Sequence, residues 1–196
     1  MKLGKTLYVS DRKAWRSWLA KNHDKEKEIW LVYPKKHTGK PRIPYNDAVE
    51  EALCFGWIDS TTKKIDDKKF AQRFTPRRAK SKLSQMNKER IRMLIAQKKM
   101  TDAGLEAISH AYNGESEHEK VKFSKDVLNA IRENPDAWKY FQNFPESYKR
   151  IRIAYIESRR RHGTEAFQKS LQNFVRMTAK NKRFGFVREW ACDSLN

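Results

Sequence analysis

Two rhythms of apolar positions divide this chain. Up to Pro76, short β-rich runs alternate with helical stripes, and beyond it a repeat of three to four residues takes over. Residues 6–9 predict a short strand, after which Ser10 and Asp11 offer oxygens to cap a helix. In that helix Trp15, Trp18, Leu19 and Asn22 share one face, with Arg12, Lys13, Arg16 and Lys21 around the rest. Residues 28–33 form a β-rich run halted by Pro34, and residues 35–42 read as a basic, turn-rich loop. A second helix starts at Asn46 or Asp47, carries Val49, Ala52 and Leu53 as its stripe, and ends at Gly56. Residues 57–65 and 70–75, joined by a polar turn at 66–69 and bounded by Pro76, predict a β-hairpin.

Helices dominate the remainder. Ser81 or Ser84 caps one that turns Ile91, Leu94 and Ile95 inward, and Thr101 caps another that carries Leu105 and Ile108 and ends near Asn113 and Gly114. Residues 115–119 are acidic and polar and read as a joint. Further helices follow over 124–133, from Pro135, from Pro145 to Gly163 and from Thr164, the last with a stripe of Phe167, Leu171, Phe174, Val175 and Thr178. The expected fold is α+β: a domain over 1–113 with a small, mainly antiparallel sheet and packed helices, an acidic joint at 114–122, and an all-helical domain over 123–196.

Composition adjusts this picture in two ways. Charged residues make up 34% of the 196, which taken alone would fit a disordered chain, but six Trp, ten Phe and seven Tyr supply apolar bodies that disordered chains lack. Trp15, Trp18, Trp30 and Trp57 therefore read as core. No apolar run approaches the ~20 residues needed to cross a bilayer, and the segment before Val9 is too short for a signal-peptide core, so cytoplasmic residence is expected. Cys54 and Cys192 stand far apart and make no disulfide framework. The formal charge is +19, and it is uneven: residues 68–99 hold twelve basic side chains and one acid, whereas residues 100–120 are net −4. Clustered charge attracts anions better than scattered charge.

Three segments resemble the YdeI/OmpD-associated family of bacterial proteins. They are Trp15-x-x-Trp18-Leu19-x-x-Asn22-His23, the string from Tyr45 through Ala52-Leu53-Cys54-Phe55-Gly56-Trp57-Ile58-Asp59, and Phe74-Thr75-Pro76-Arg77-Arg78 with Ser81, Ser84, Asn87 and Arg90. Residues 99–104 continue the match. Asn134-Pro135-Asp136-Ala137-Trp138 and Phe144-Pro145-x-Ser147-Tyr148 look like the family's C-terminal helical part, and Leu83 departs from the pattern, where Trp is expected. The resemblance implies a bacterial cytoplasmic protein linked to bacteriocin or antimicrobial-peptide protection. It implies no reaction.

The candidate site follows from the hairpin. It delivers Arg77 and Arg78 to the start of the next helix, where backbone N–H groups, the Ser81 and Ser84 hydroxyls and two guanidiniums would form an anion-binding corner. Trp57, Asp59, Arg73 and Asn87 complete the set, with Asp59 as the expected internal counter-charge to Arg77. A plain structural Asp59–Arg77 ion pair, with serines that only cap and a solvated Arg78, is the competing expectation. Residues 68–99 also pair phosphate-neutralising cations with Phe70 and Phe74, but without a nucleic-acid-binding motif, so only non-specific nucleic-acid binding is expected.

Enzyme signatures are mostly missing. No phosphate-binding glycine loop, nucleophile elbow or metal spacing occurs, and no cofactor is implied. His110 and His118 with Glu115, Glu117 and Glu119 are better read as a solvated linker than as a metal site, and Cys54 as a buried structural thiol. The sequence favours a non-enzymatic protein that binds an anionic small molecule or macromolecule through a basic pocket. A small enzyme acting on a phosphorylated or carboxylated metabolite, and a peripheral binder of anionic membranes through residues 149–161, are the alternatives.

Overall fold

A four-stranded mixed sheet with the order β1-β2-β4-β3 organises the first part of the chain. The computed structural model describes residues 3–112 and 123–185. Its first elements are β1 (Thr6–Leu7), α1 (Arg12–Asn22), β2 (Ile29–Pro34), a 3-10 turn at Lys36–Thr38, α2 (Tyr45–Cys54), β3 (Trp57–Lys64) and β4 (Lys69–Pro76). Helices α3 (Gln85–Ala96) and α4 (Asp102–Ile108) follow. β1 runs parallel to β2, and the other two pairings are antiparallel. The α+β expectation holds.

Local chemistry explains the starts and stops. Asp11 caps α1 by accepting from the Ala14 N–H at 2.9 Å, and Thr101 caps α4 by accepting from Gly104 at 3.2 Å. Gly56 ends α2 with φ +73°, and a Cβ there would lie 2.6 Å from Ala107 Cβ, so both conformation and space require glycine. Register then sorts the faces of the sheet. Ile29, Leu31 and Tyr33 stand opposite Phe74, Gln72 and Phe70, and Asp59 stands opposite Phe74, so these residues share one face. α1 covers that face, with Trp15 5.4 Å from Phe74 and its indole N–H donated to Ala48 O at 2.9 Å. Trp15, Trp30 and Trp57 are buried as core tryptophans should be, whereas Trp18, which stacks on Trp15 at 5.3 Å, is only half-buried.

Buried charge joins α1 to α2. Glu50 and Glu51 are 1% and 2% exposed, and Arg12 meets both, together with Asp47. Arg16 adds a second guanidinium to Glu51 at 2.6 Å and donates to Lys99 O at 3.0 Å. Two expectations about local detail need correction. Ile95 is 36% exposed and Met93 takes the inward place beside Leu94, and α4 closes at Ile108.

Contacts divide the chain into two compact units, Met1–Leu83 with Arg90–Gly114, and Ser84–Glu89 with Glu115–Asn196. The acidic joint expected at 114–122, with His118, Glu115, Glu117 and Glu119, lies outside the described residues, apart from the unit assignment, and so does Cys192. The second unit contains α5 (Lys125–Arg132), α6 (Pro135–Gln142), α7 (Glu146–Ser158), a 3-10 turn at Arg159–His162 and α8 (Thr164–Ala179). Asn134 caps α6 and Pro135 fills its first position. Phe167, Leu171, Phe174 and Thr178 of α8 face a core that also holds Val127, Ile131, Phe141 and Ile156. Among the described residues, no helix is long and apolar enough to cross a membrane.

Candidate functional site

The hairpin does lead into Pro76-Arg77-Arg78, with the Arg77 N–H donated to Gly56 O at 2.9 Å, but the expected corner is only partly assembled. Trp57 is core: it is 1% exposed and donates its indole N–H to His23 O at 3.0 Å. Asp59 does not pair with Arg77. Its Oδ2 accepts from Tyr45 Oη at 2.8 Å and from Gln72 Nε2 at 3.2 Å, because Asp59 lies further along β3, beside α2, while Arg77 lies beyond the end of β4. Arg73 points to the other face of β4 and forms an ion pair with Glu28, whose carboxyl that guanidinium holds below the usual carboxylate range.

Arg77 and Ser81 do come together. Arg77 Nη2 donates to Ser81 Oγ at 3.0 Å, Ser81 O at 3.2 Å and Lys82 O at 3.3 Å, and no carboxylate joins it among the described residues. Burial lowers the pKa of this guanidinium. Arg78 is exposed. Ser84 serves as a helix cap, accepting from the Asn87 N–H at 3.3 Å. The serine expectations therefore divide: Ser81 holds Arg77, and Ser84 holds the start of α3.

A basic cleft lies elsewhere in the same unit. Its volume is about 500 Å³, and Tyr8, Val32, Pro34, His37, Thr38, Lys40, Lys68 and Lys69 line it. β1 pairs with Trp30 and Leu31, so among the described residues the second half of β2 has no strand neighbour on that side, and Arg42 of the 35–42 loop donates to Pro34 O at 3.1 Å. Lys35 N–H donates to Lys68 O at 2.8 Å, which brings that loop to the tip of the β3–β4 hairpin. Tyr8 Oη donates to Pro41 O at 2.6 Å and fixes the opposite wall. No acid is among the lining residues. Asp66 comes nearest in chemistry: it accepts from the Lys68 and Lys69 N–H groups, and its carboxylate is 3.7 Å from Lys69 Nζ. Those backbone donors lower its pKa. The cleft thus combines an apolar floor of Val32 and Pro34 with a cationic rim.

Sequence reasoning read the loop at 35–42 and the turn at 66–69 correctly as turns, yet missed them as a site. Each is unremarkable in sequence, and only the pairing of β2 with β4, which sets Pro34 opposite Lys69, makes them neighbours.

The other chemical candidates are quiet. Cys54 is buried, and burial, assisted by the charge of Glu51, pushes its thiol up to about 11, so it stays protonated at neutral pH. Burial and Asp59 likewise push the Tyr45 phenol up to about 12, which suits a hydrogen-bond donor and not a base. No cluster of three metal-ligating side chains occurs among the described residues, and the His110 ring lies 3.1 Å from Ser81 O.

Residues 7–107, just over half of the chain, match the model of a family described as a domain of unknown function, DUF8412. The chain belongs to the DUF8412 family. Residues 120–181 match a second model, described as bacteriocin-protection, YdeI or OmpD-associated, OmdA. The YdeI/OmpD-associated resemblance is thereby shown over the segment with Asn134 to Trp138 and Phe144 to Tyr148, while the tryptophan-rich strings before it fall within the DUF8412 match. No curated protein and no solved structure matches the chain. The basic cleft lies wholly within the DUF8412 span, and the OmdA match covers α5 to α8.

Proposed function

We propose that this protein is a non-enzymatic, cytosolic bacterial binder of an anionic partner, and that the DUF8412 unit holds the partner in its basic cleft. The observation that carries the reading is a cleft of about 500 Å³ rimmed by Lys40, Lys68, Lys69 and His37 with no acid among its lining residues. The energetics favour an anion with a compact apolar body over a bare ion. An ammonium about 4 Å from an anion contributes about 1 kcal/mol in bulk water and about 4 kcal/mol near a protein surface. Exposed lysines lie near the first value, and millimolar to micromolar binding requires about 4 to 8 kcal/mol, so Val32, Pro34 and the Tyr8 ring must supply the rest. A link to bacteriocin protection would then run through the bound partner. Direct capture of cationic peptides is opposed by the charge of +19.

The test is a calorimetric titration with phenyl phosphate, inorganic phosphate and single-stranded oligonucleotide at low and high salt. It is repeated on Lys40→Ala/Lys68→Ala and on Arg77→Ala/Arg78→Ala. Phenyl phosphate binding that survives salt and is lost in the first variant supports the cleft. Loss in the second variant alone moves the site to the Arg77 loop, and binding that salt removes equally in every variant overturns the pocket altogether.

A further inference from the structure

The second unit holds a different anomaly, independent of the cleft. Arg152 on α7 is 8% exposed, yet it makes no hydrogen bond and no ion pair among the described residues, and its Nε is fully buried without a partner. Buried guanidiniums are ordinarily paired, because an uncompensated charge out of water costs several kcal/mol. Lys149, on the same helix and 6% exposed, obeys that rule by donating to Gln142 O at 2.9 Å and to Glu146 at 2.6 Å.

The surroundings of Arg152 are shaped, and no anionic side chain pairs with it among the described residues. Phe184 lies 4.1 Å and Tyr155 5.1 Å from the guanidinium carbon, so aromatic rings hold the group. Gly185, at φ +97°, brings backbone so close that a Cβ would lie 2.9 Å from Nη1. Tyr148 Oη accepts from the Phe184 N–H at 3.1 Å and donates to nothing among the described residues. Burial lowers the pKa of this guanidinium.

We propose that Arg152, with the Tyr148 hydroxyl beside it, is a binding site for a small oxyanion group, a carboxylate or a phosphate, taken by the guanidinium fork. The aromatic contacts hold the fork before the ligand arrives, and the ligand supplies the acceptors that the described residues do not. The group needed is planar or tetrahedral with two adjacent oxygens, which excludes chloride as an equivalent.

The experiment follows the Arg152 Nε–Hε resonance of the full chain by NMR during titration with sodium phosphate or sodium acetate, against sodium chloride at matched ionic strength. A saturable shift with phosphate, with acetate or with both, beyond that from chloride, is expected, and the stronger arm identifies the group. Arg152→Met should abolish the binding measured by calorimetry, and Arg152→Lys, which keeps the charge but loses the fork, should weaken it at least about tenfold; if the Met variant does not fold, the Lys variant decides. Lys40→Ala/Lys68→Ala should leave this titration unchanged, so failure here is separable from failure of the cleft. The proposal is overturned if no anion shifts the resonance beyond chloride. It is equally overturned if Glu189→Gln/Asp193→Asn displaces the resonance, since the acceptor would then be the chain's own.

Discussion

Two regions of this molecule bury arginine charge and resolve it in opposite ways. Between α1 and α2, Arg12 and Arg16 meet Asp47, Glu50 and Glu51, with two of the carboxylates almost fully buried. On α7, Arg152 is buried deeper than either arginine, and among the described residues it meets only rings and backbone. The first region buries carboxylates beside half-buried guanidiniums and the second buries a guanidinium, and among the described residues only the first pairs its charges. Burial of a charge is therefore not itself a sign of function; burial without an acceptor is what points to a ligand.

Breaking the paired region should give the largest effect. Glu51→Gln removes the carboxylate shared by Arg12 and Arg16 and should cost about 3 kcal/mol in urea unfolding, the lower end of the range for a broken buried pair because both arginines keep some solvent contact. A cost below about 1 kcal/mol would mean that the network is no more than a surface pair. In the unpaired region the sign should reverse. Arg152→Met, measured without phosphate or carboxylate buffers, should leave stability unchanged or raise it by about 1 kcal/mol, since an unpaired buried charge is replaced by an apolar side chain of similar length. Marked destabilisation would show that the guanidinium is satisfied in the folded chain.

Smaller effects sharpen the contrast. The negative charge of Glu51 helps hold Cys54 up near 11, so Glu51→Gln should lower that value, read as an earlier rise of iodoacetamide reactivity with pH. An unmoved profile would leave burial as the whole cause. The least effect belongs to an exposed pair: Arg160 holds Asp126 down at about 2. A carboxylate whose folded value is depressed stabilises above its unfolded value of about 3.9 and loses that contribution as pH falls toward about 2. Arg160→Gln should return Asp126 toward about 3.9 in an NMR titration, with little change in neutral-pH unfolding.

Much of the secondary structure was legible because it rests on neighbours in sequence. Asp11 and Thr101 cap where their side chains predicted, a helix opens at Pro135, and the α8 stripe of Phe167, Leu171, Phe174 and Thr178 is buried as its spacing required. The stripe failed at Ile95, where a strongly basic helix offers periodicity too weak to separate adjacent faces. The site was less legible. Arg77 and Ser81, four residues apart, meet as expected, while Asp59 and Arg77 do not, because partners for Asp59 come from Tyr45 and Gln72, fourteen and thirteen residues away.

The linear pattern of residues set the α+β order, the helix caps, the buried tryptophans and the concentration of positive charge in residues 68–99. Which of the chain's charges share a cleft, which are cancelled and which is left without a carboxylate among the described residues was settled by β2–β4 register, by the packing of α1 on α2 and by the packing around α7. The physical reason is range. Caps and stripes depend on residues within two helical turns, whereas an electrostatic site depends on every charge within a few ångströms, and those are brought there from distant parts of the chain.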